Sequence, residues 1–123
     1  MEKHRTSLEL SKQLKEAGWK KETECSWYVS VLGGKPHIIM NQFLKNGFND
    51  KIVSIYPAPL ATEILEEFDS WREQGIYIFN DCDTYFVQFR EFGFGKLIKD
   101  CSDQFLPNAL AKMWLYLKKG GLI

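Results

Sequence analysis

Gly33-Gly34 separates two short runs of aromatic and β-branched residues, and a two-residue gap of that composition joins neighbouring antiparallel strands. The first run, residues 26–32, alternates Trp27, Val29 and Val31 with Tyr28, Ser30 and Leu32. The second runs from Pro36 into Asn41, with His37, Ile39 and Asn41 opposite Ile38 and Met40. Asn46-Gly47 and Asn49-Asp50 mark the next turn, and residues 51–56 read as a third strand. A second hairpin is expected from residues 76–79 and 84–90 around Asn80-Asp81-Cys82-Asp83. Its later strand alternates Tyr85, Val87 and Phe89 with Phe86, Gln88 and Arg90, a period-two pattern that buries at least one face.

Three helices complete the pattern. In residues 6–18, Thr6 and Glu9 have capping-box spacing, and Leu10, Leu14 and Ala17 share one face. Gly18 stands where a left-handed cap belongs, followed by Trp19, which can fold back on Leu14. Tyr56-Pro57-Ala58-Pro59 is a stiff elbow, with Pro59 suited to open a helix faced by Ile64, Leu65 and Phe68. That helix is expected to end between Phe68 and Gly75. Leu106, Leu110, Met113, Trp114 and Leu117 form the last stripe, with Pro107 in the first turn and Gly120 past the end. The expected fold is α+β: a mainly antiparallel sheet of about five strands with three helices, in the order α-β-β-β-α-β-β-α. Residues 1–123 read as a single domain, with 1–5 as a disordered tail. Several strands are apolar on both faces, so either the helices cover both or one face is left for a partner.

The chemistry of the chain excludes more than it assigns. Sixteen basic residues balance sixteen acidic ones, so no surplus positive charge advertises a polyanion partner. The local concentration at Lys12, Lys15, Lys20 and Lys21 reads as the solvated side and exit of the first helix. The opening residues lead into an amphipathic stretch rather than a signal peptide, and no apolar run reaches membrane-spanning length. Cys25, Cys82 and Cys101 are odd in number and widely spaced, which suits reduced thiols in the cytoplasm and supplies no zinc-binding pair. His4 falls in the expected tail and His37 at the start of a strand, so neither reads as a catalytic base. Asp81 and Asp83 are the closest carboxylate pair, but aspartates belong in turns for backbone reasons. Glu63, Glu66 and Glu67 read as a solvated helix face. Phe92-Gly93-Phe94-Gly95-Lys96 lacks the spacing of a phosphate loop and the aromatic order of an RNA-binding strand, and reads as a bulged connection anchored by its phenylalanines. No catalytic residue, cofactor or metal ligand is assigned.

Ser11-Lys-Gln-Leu-Lys-Glu-Ala-Gly-Trp19, Tyr56-Pro-Ala-Pro-Leu-Ala-Thr-Glu-Ile-Leu-Glu-Glu67 and Leu106-Pro-Asn-Ala-Leu-Ala-Lys-Met-Trp-Leu-Tyr-Leu117 form a distinctive set. Together these three stretches resemble a group of small proteins encoded by phages and bacterial prophages. The middle helix of that group stops at a leucine-proline pair, where this chain has Phe68-Asp69-Ser70-Trp71. The resemblance implies a bacterial or phage cytoplasmic setting and an accessory role, and brings no functional residue with it.

The expected function is therefore a non-enzymatic accessory protein that binds a protein partner or itself. Tyr28, Trp71 and Phe86 are the candidate contacts, because exposed aromatics dominate interface energetics. Association with nucleic acid is the weaker alternative, and a small hydrolase using carboxylates the weakest. No membrane partner is expected.

Overall fold

The computed structural model describes residues 4–30, 35–42, 52–68, 75–91 and 93–122. Their elements run α1 (Leu8–Glu16), β1 (Cys25–Ser30), β2 (His37–Met40), β3 (Ile52–Pro57), α2 (Ala61–Glu67), β4 (Ile76–Asp81), β5 (Thr84–Arg90), β6 (Leu97–Asp103) and α3 (Leu106–Lys119). The α+β class holds, but the single five-stranded sheet does not. The strands form two antiparallel three-stranded sheets, ordered β2-β1-β3 and β4-β5-β6. The sixth strand is β6, which the expected order lacked. Its sequence, Leu97-Ile98-Lys99-Asp100-Cys101-Ser102-Asp103, has no apolar alternation because only Cys101 is buried. The expected Gly33-Gly34 turn and the 69–74 segment, including Trp71, lie outside the described residues.

Helix α1 is capped by Ser7, whose side chain accepts from the Leu10 N–H, rather than by Thr6. Thr6 is fully buried instead and shares a 2.6 Å hydrogen bond with the Ser11 hydroxyl. At the other end Gly18 takes φ +95°, with the Trp19 N–H bonded to the Leu14 carbonyl and the Gly18 N–H to that of Lys15. This is the expected left-handed cap, and Leu14 and Trp19 lie in one core cluster. Helix α3 closes in the same way, ending at Lys119 with Gly120 past its end as expected. Gly121, at φ +69°, takes the left-handed position that Gly120 does not.

Arg5, expected in a disordered tail, is only 4% exposed. It pairs with Leu60 in an isolated antiparallel bridge, and its guanidinium donates to the Ala58 carbonyl at 2.7 Å and to Glu24 at 3.3 Å. Glu63 is likewise no solvated residue: it accepts from the Leu60 and Glu24 N–H groups and lies 3.9 Å from Arg5. A charge buried this deeply persists only because it is paired and hydrogen-bonded. Pro59 is fully buried ahead of α2, and Ala61 rather than Pro59 begins the helix.

The larger core cluster lies around α3, which rests on β5 and β6 and touches α1 and α2. It joins Leu110, Met113, Trp114 and Leu117, the expected stripe, to Val87, Phe89 and Cys101 of the sheet and to Ile64 and Phe68 of α2. A smaller cluster, Cys25, Trp27 and Ala58, lies on the β2-β1-β3 sheet. Asp103 and Asn108 tie the parts together. The Asp103 carboxylate accepts from the Phe105 N–H, the Asn108 amide and Lys112, and Asn108 in turn accepts from the Ser7 N–H at 2.8 Å.

Candidate functional site

The ladder of the second sheet sorts its residues onto two faces. Val87 faces Ile78 and Cys101, and Phe89 faces Ile76 and Lys99; this is the side on which α3 packs. Phe86 faces Phe79 and Ser102, and Gln88 faces Tyr77 and Asp100, on the opposite side. No helix among the described residues packs on that outer face. It therefore presents Tyr77, Phe79 and Phe86 outward, with Leu97 and Ile98 exposed at the end of β6 beside the bulge between Phe89 and Arg90.

Phe94 completes the cluster. It lies in the connection between β5 and β6, at φ +60° and directly after Gly93 at φ +74°, so the chain turns sharply there. The expectation that it anchors the loop to the core is corrected: Phe94 is 51% exposed. Its ring meets Tyr77 edge-on at 4.8 Å and Phe79 at 6.0 Å, and the Arg90 guanidinium lies 4.4 Å from its centroid. Its N–H donates to the Tyr77 hydroxyl at 3.0 Å. Arg90 also donates to Gln88 at 2.8 Å and to the Gly95 carbonyl at 3.1 Å, while Glu91 and Lys96 close the loop through their backbone. A left-handed conformation at a bulky residue costs about 1–3 kcal/mol and persists only where its surroundings over-determine it. Here strain and several contacts hold a large ring out of the core, on the face that already carries Phe79 and Phe86.

The sequence-predicted contacts are scattered. Phe86 is half-buried at the centre of this outer face. Tyr28 belongs to the other sheet and is only 9% exposed, with its ring 5.6 Å from that of His37. Trp71 is outside the described residues. Tyr77, Phe79 and Phe94 were not among the predicted contacts. The consecutive Tyr77-Ile78-Phe79 run was the available signal, because alternation exposes one member of such a run on each face.

Elsewhere the chemistry stays dispersed. His4 lines a groove of about 620 Å³ with Leu60, Tyr85, Phe105 and Leu106, whereas His37 begins β2. Cys25 and Cys101 are buried, and burial pushes both thiols above their ordinary value; Cys82 is exposed at the β4–β5 turn. That turn is only Cys82-Asp83, since β4 runs on to Asp81 and β5 begins at Thr84. Among the described residues, no group of three or more histidine, cysteine or carboxylate side chains could hold a metal ion. Several lysines of the basic stretch have intramolecular partners. Lys15 donates to the Ile55 carbonyl at 2.8 Å, Lys21 pairs with Glu66, and Lys12 lies over the Tyr56 ring. No helix among the described residues is long and apolar enough to cross a membrane. Comparison with protein-family models, curated proteins and solved structures finds no match to this chain.

Proposed function

We propose that this is a non-enzymatic accessory protein of phage or prophage origin that binds a protein partner or a second copy of itself through the outer face of the β4-β5-β6 sheet. One observation carries the reading: Tyr77, Phe79, Phe86 and Phe94 are gathered on a face that no helix among the described residues covers, and Phe94 is held there in a strained conformation. Contiguous apolar surface is costly to leave in water, and where it is retained it marks a contact site. Arg90 beneath the Phe94 ring adds the residue type that, with aromatics, is enriched at binding hot spots. The phage or prophage setting rests on the resemblance of the three helical stretches.

The test is a photo-reactive phenylalanine analogue at position 86, with the same analogue at exposed Lys118 of α3 as control. Irradiation of the purified protein and of host-cell extract should give an adduct of defined mass from position 86 alone. The double variant Phe79→Ser, Phe94→Ser should suppress it. Equal labelling at both positions, or none at either, overturns the reading.

A further inference from the structure

Among the described residues, two three-stranded sheets leave four strand edges, and three of them are guarded. β2 is only four residues long. β3 carries α1 against it, and Lys15 donates to the Ile55 carbonyl. β6 holds Lys99 and Asp100 at its middle, and Lys112 donates to the Ser102 carbonyl. Short length, charge and covered carbonyls are the devices that keep an edge from pairing.

Among the described residues, none of these devices guards β4. It reads Ile76-Tyr77-Ile78-Phe79-Asn80-Asp81, without proline or bulge, and its first charge is its last residue. Because α3 rests on β5 and β6, Ile78 stays 40% exposed although it shares the inner face with Val87. The backbone of β4 also has a readable phase. The Arg90 N–H bonds the Gly75 carbonyl, which makes Gly75 and Arg90 a hydrogen-bonded pair. Antiparallel ladders alternate, so Tyr77, Phe79 and Asp81 bond to β5, and Ile76, Ile78 and Asn80 turn their N–H and C=O groups to the open edge.

We infer that the partner is a second copy of this chain, joined edge to edge through antiparallel β4 strands with Ile78 on the two-fold axis. The inference rests on the reading that this sheet is an interaction surface and names its occupant. In that register Ile78 meets Ile78 of the second copy and Ile76 meets Asn80, so all three outward-facing residues are paired, with about six new backbone hydrogen bonds. Between them Tyr77 stands opposite Phe79 of the second copy on the outer face, where pairs are closest and aromatic cross-strand contacts stabilise a sheet. No like charges are opposed: Asp81 falls opposite Gly75. A β6 self-pairing lacks this complementarity, since centring it on either middle residue sets Lys99 or Asp100 against itself. The product is a continuous six-stranded sheet with β4 at its centre, in which the two aromatic clusters lie side by side and no unguarded edge remains.

The experiment combines sedimentation over a concentration series with amide exchange measured by NMR. The wild-type protein should reach a dimer at high concentration. There the Ile76, Ile78 and Asn80 amides should slow by about tenfold or more, while those of Tyr77 and Phe79, already bonded within the sheet, should not change. Ile78→Pro removes an outward N–H that the monomer does not use, and Ile78→Lys places a charge on the axis. Each should leave a folded monomer by circular dichroism. A wild-type protein that stays monomeric without those protections overturns the self-pairing and leaves the outer-face reading to its own crosslinking test. A dimer that survives both Ile78 variants but dissociates with Phe86→Ser also overturns edge pairing, while upholding the outer face as the contact. Protection that appears only in cell extract assigns the edge to a foreign strand and overturns the second copy as occupant.

Discussion

Asp103 shows how one residue sets local stability. Burial alone would raise its carboxyl, but the Phe105 N–H, the Lys112 ammonium and the Asn108 amide outweigh it and hold the group below the ordinary aspartate value of 3.8. A carboxyl depressed on folding adds stability that is fully present above its unfolded value and is lost as pH falls through the lower folded one. Asp103→Ala should therefore destabilise the protein at neutral pH by about 1–3 kcal/mol, the range for losing charge-assisted hydrogen bonds. The deficit should shrink below pH ~4, where the wild-type carboxyl is protonated too. Denaturant melts of both proteins at neutral and acid pH check this, and a deficit that stays constant across pH removes Asp103 from the account.

Two glycines separate backbone strain from lack of space at the scale of elements. Gly18 caps α1 at φ +95° with open space around it, so Gly18→Ala pays only for the left-handed conformation, about 1–2 kcal/mol. Gly75 enters β4 at φ +99°, where an added Cβ would lie 2.2 Å from the Arg90 carbonyl oxygen. Gly75→Ala must push β4 away from β5 at its first pair, and should destabilise by more than about 3 kcal/mol, beyond the usual range for a point substitution. Equal melting-temperature losses for the two variants would contradict the geometry at Gly75. The elements also differ in how legible they were. β5 was expected over residues 84–90 and is found there, because a central strand packed by α3 keeps its period-two signal. β6 escaped notice because this edge strand buries only Cys101, and its other positions mix exposed Leu97 and Ile98 with Ser102 and the charges of Lys99, Asp100 and Asp103, which leaves no period-two signal.

For the molecule as a whole, the three free cysteines report separately on its parts. Cys82 is exposed at a turn, Cys25 belongs to the small cluster of the first sheet, and Cys101 to the large cluster beneath α3. Native protein should consume one equivalent of thiol reagent rapidly through Cys82. In mild denaturant Cys25 should react before Cys101, since the smaller cluster buries less apolar surface among the described residues and opens with less free energy. Mass-spectrometric mapping of labelled cysteines decides the order, and Cys101 reacting first would place the weak part of the fold under α3 instead.

What the sequence determined by itself was local. Helical stripes, the left-handed cap at Gly18, the antiparallel habit and the alternation of β5 follow from spacing, because neighbours in sequence share one periodic element. The candidate surface was legible only in part: of the expected contacts Phe86 stands half-buried on the outer face and Tyr28 lies buried, whereas Phe94, expected to anchor its loop to the core, is exposed. Three things were decided by tertiary structure: the division into two sheets, the burial of Arg5 against Ala58 and Glu24, and the sheet face that no helix among the described residues covers. The reason is the same for each. Whether an apolar or charged residue is covered depends on which distant segment packs over it, and α3 rests on β5 and β6 rather than on β4. An alternating strand states that it has two faces, but only the placement of α3 decides which of them meets water.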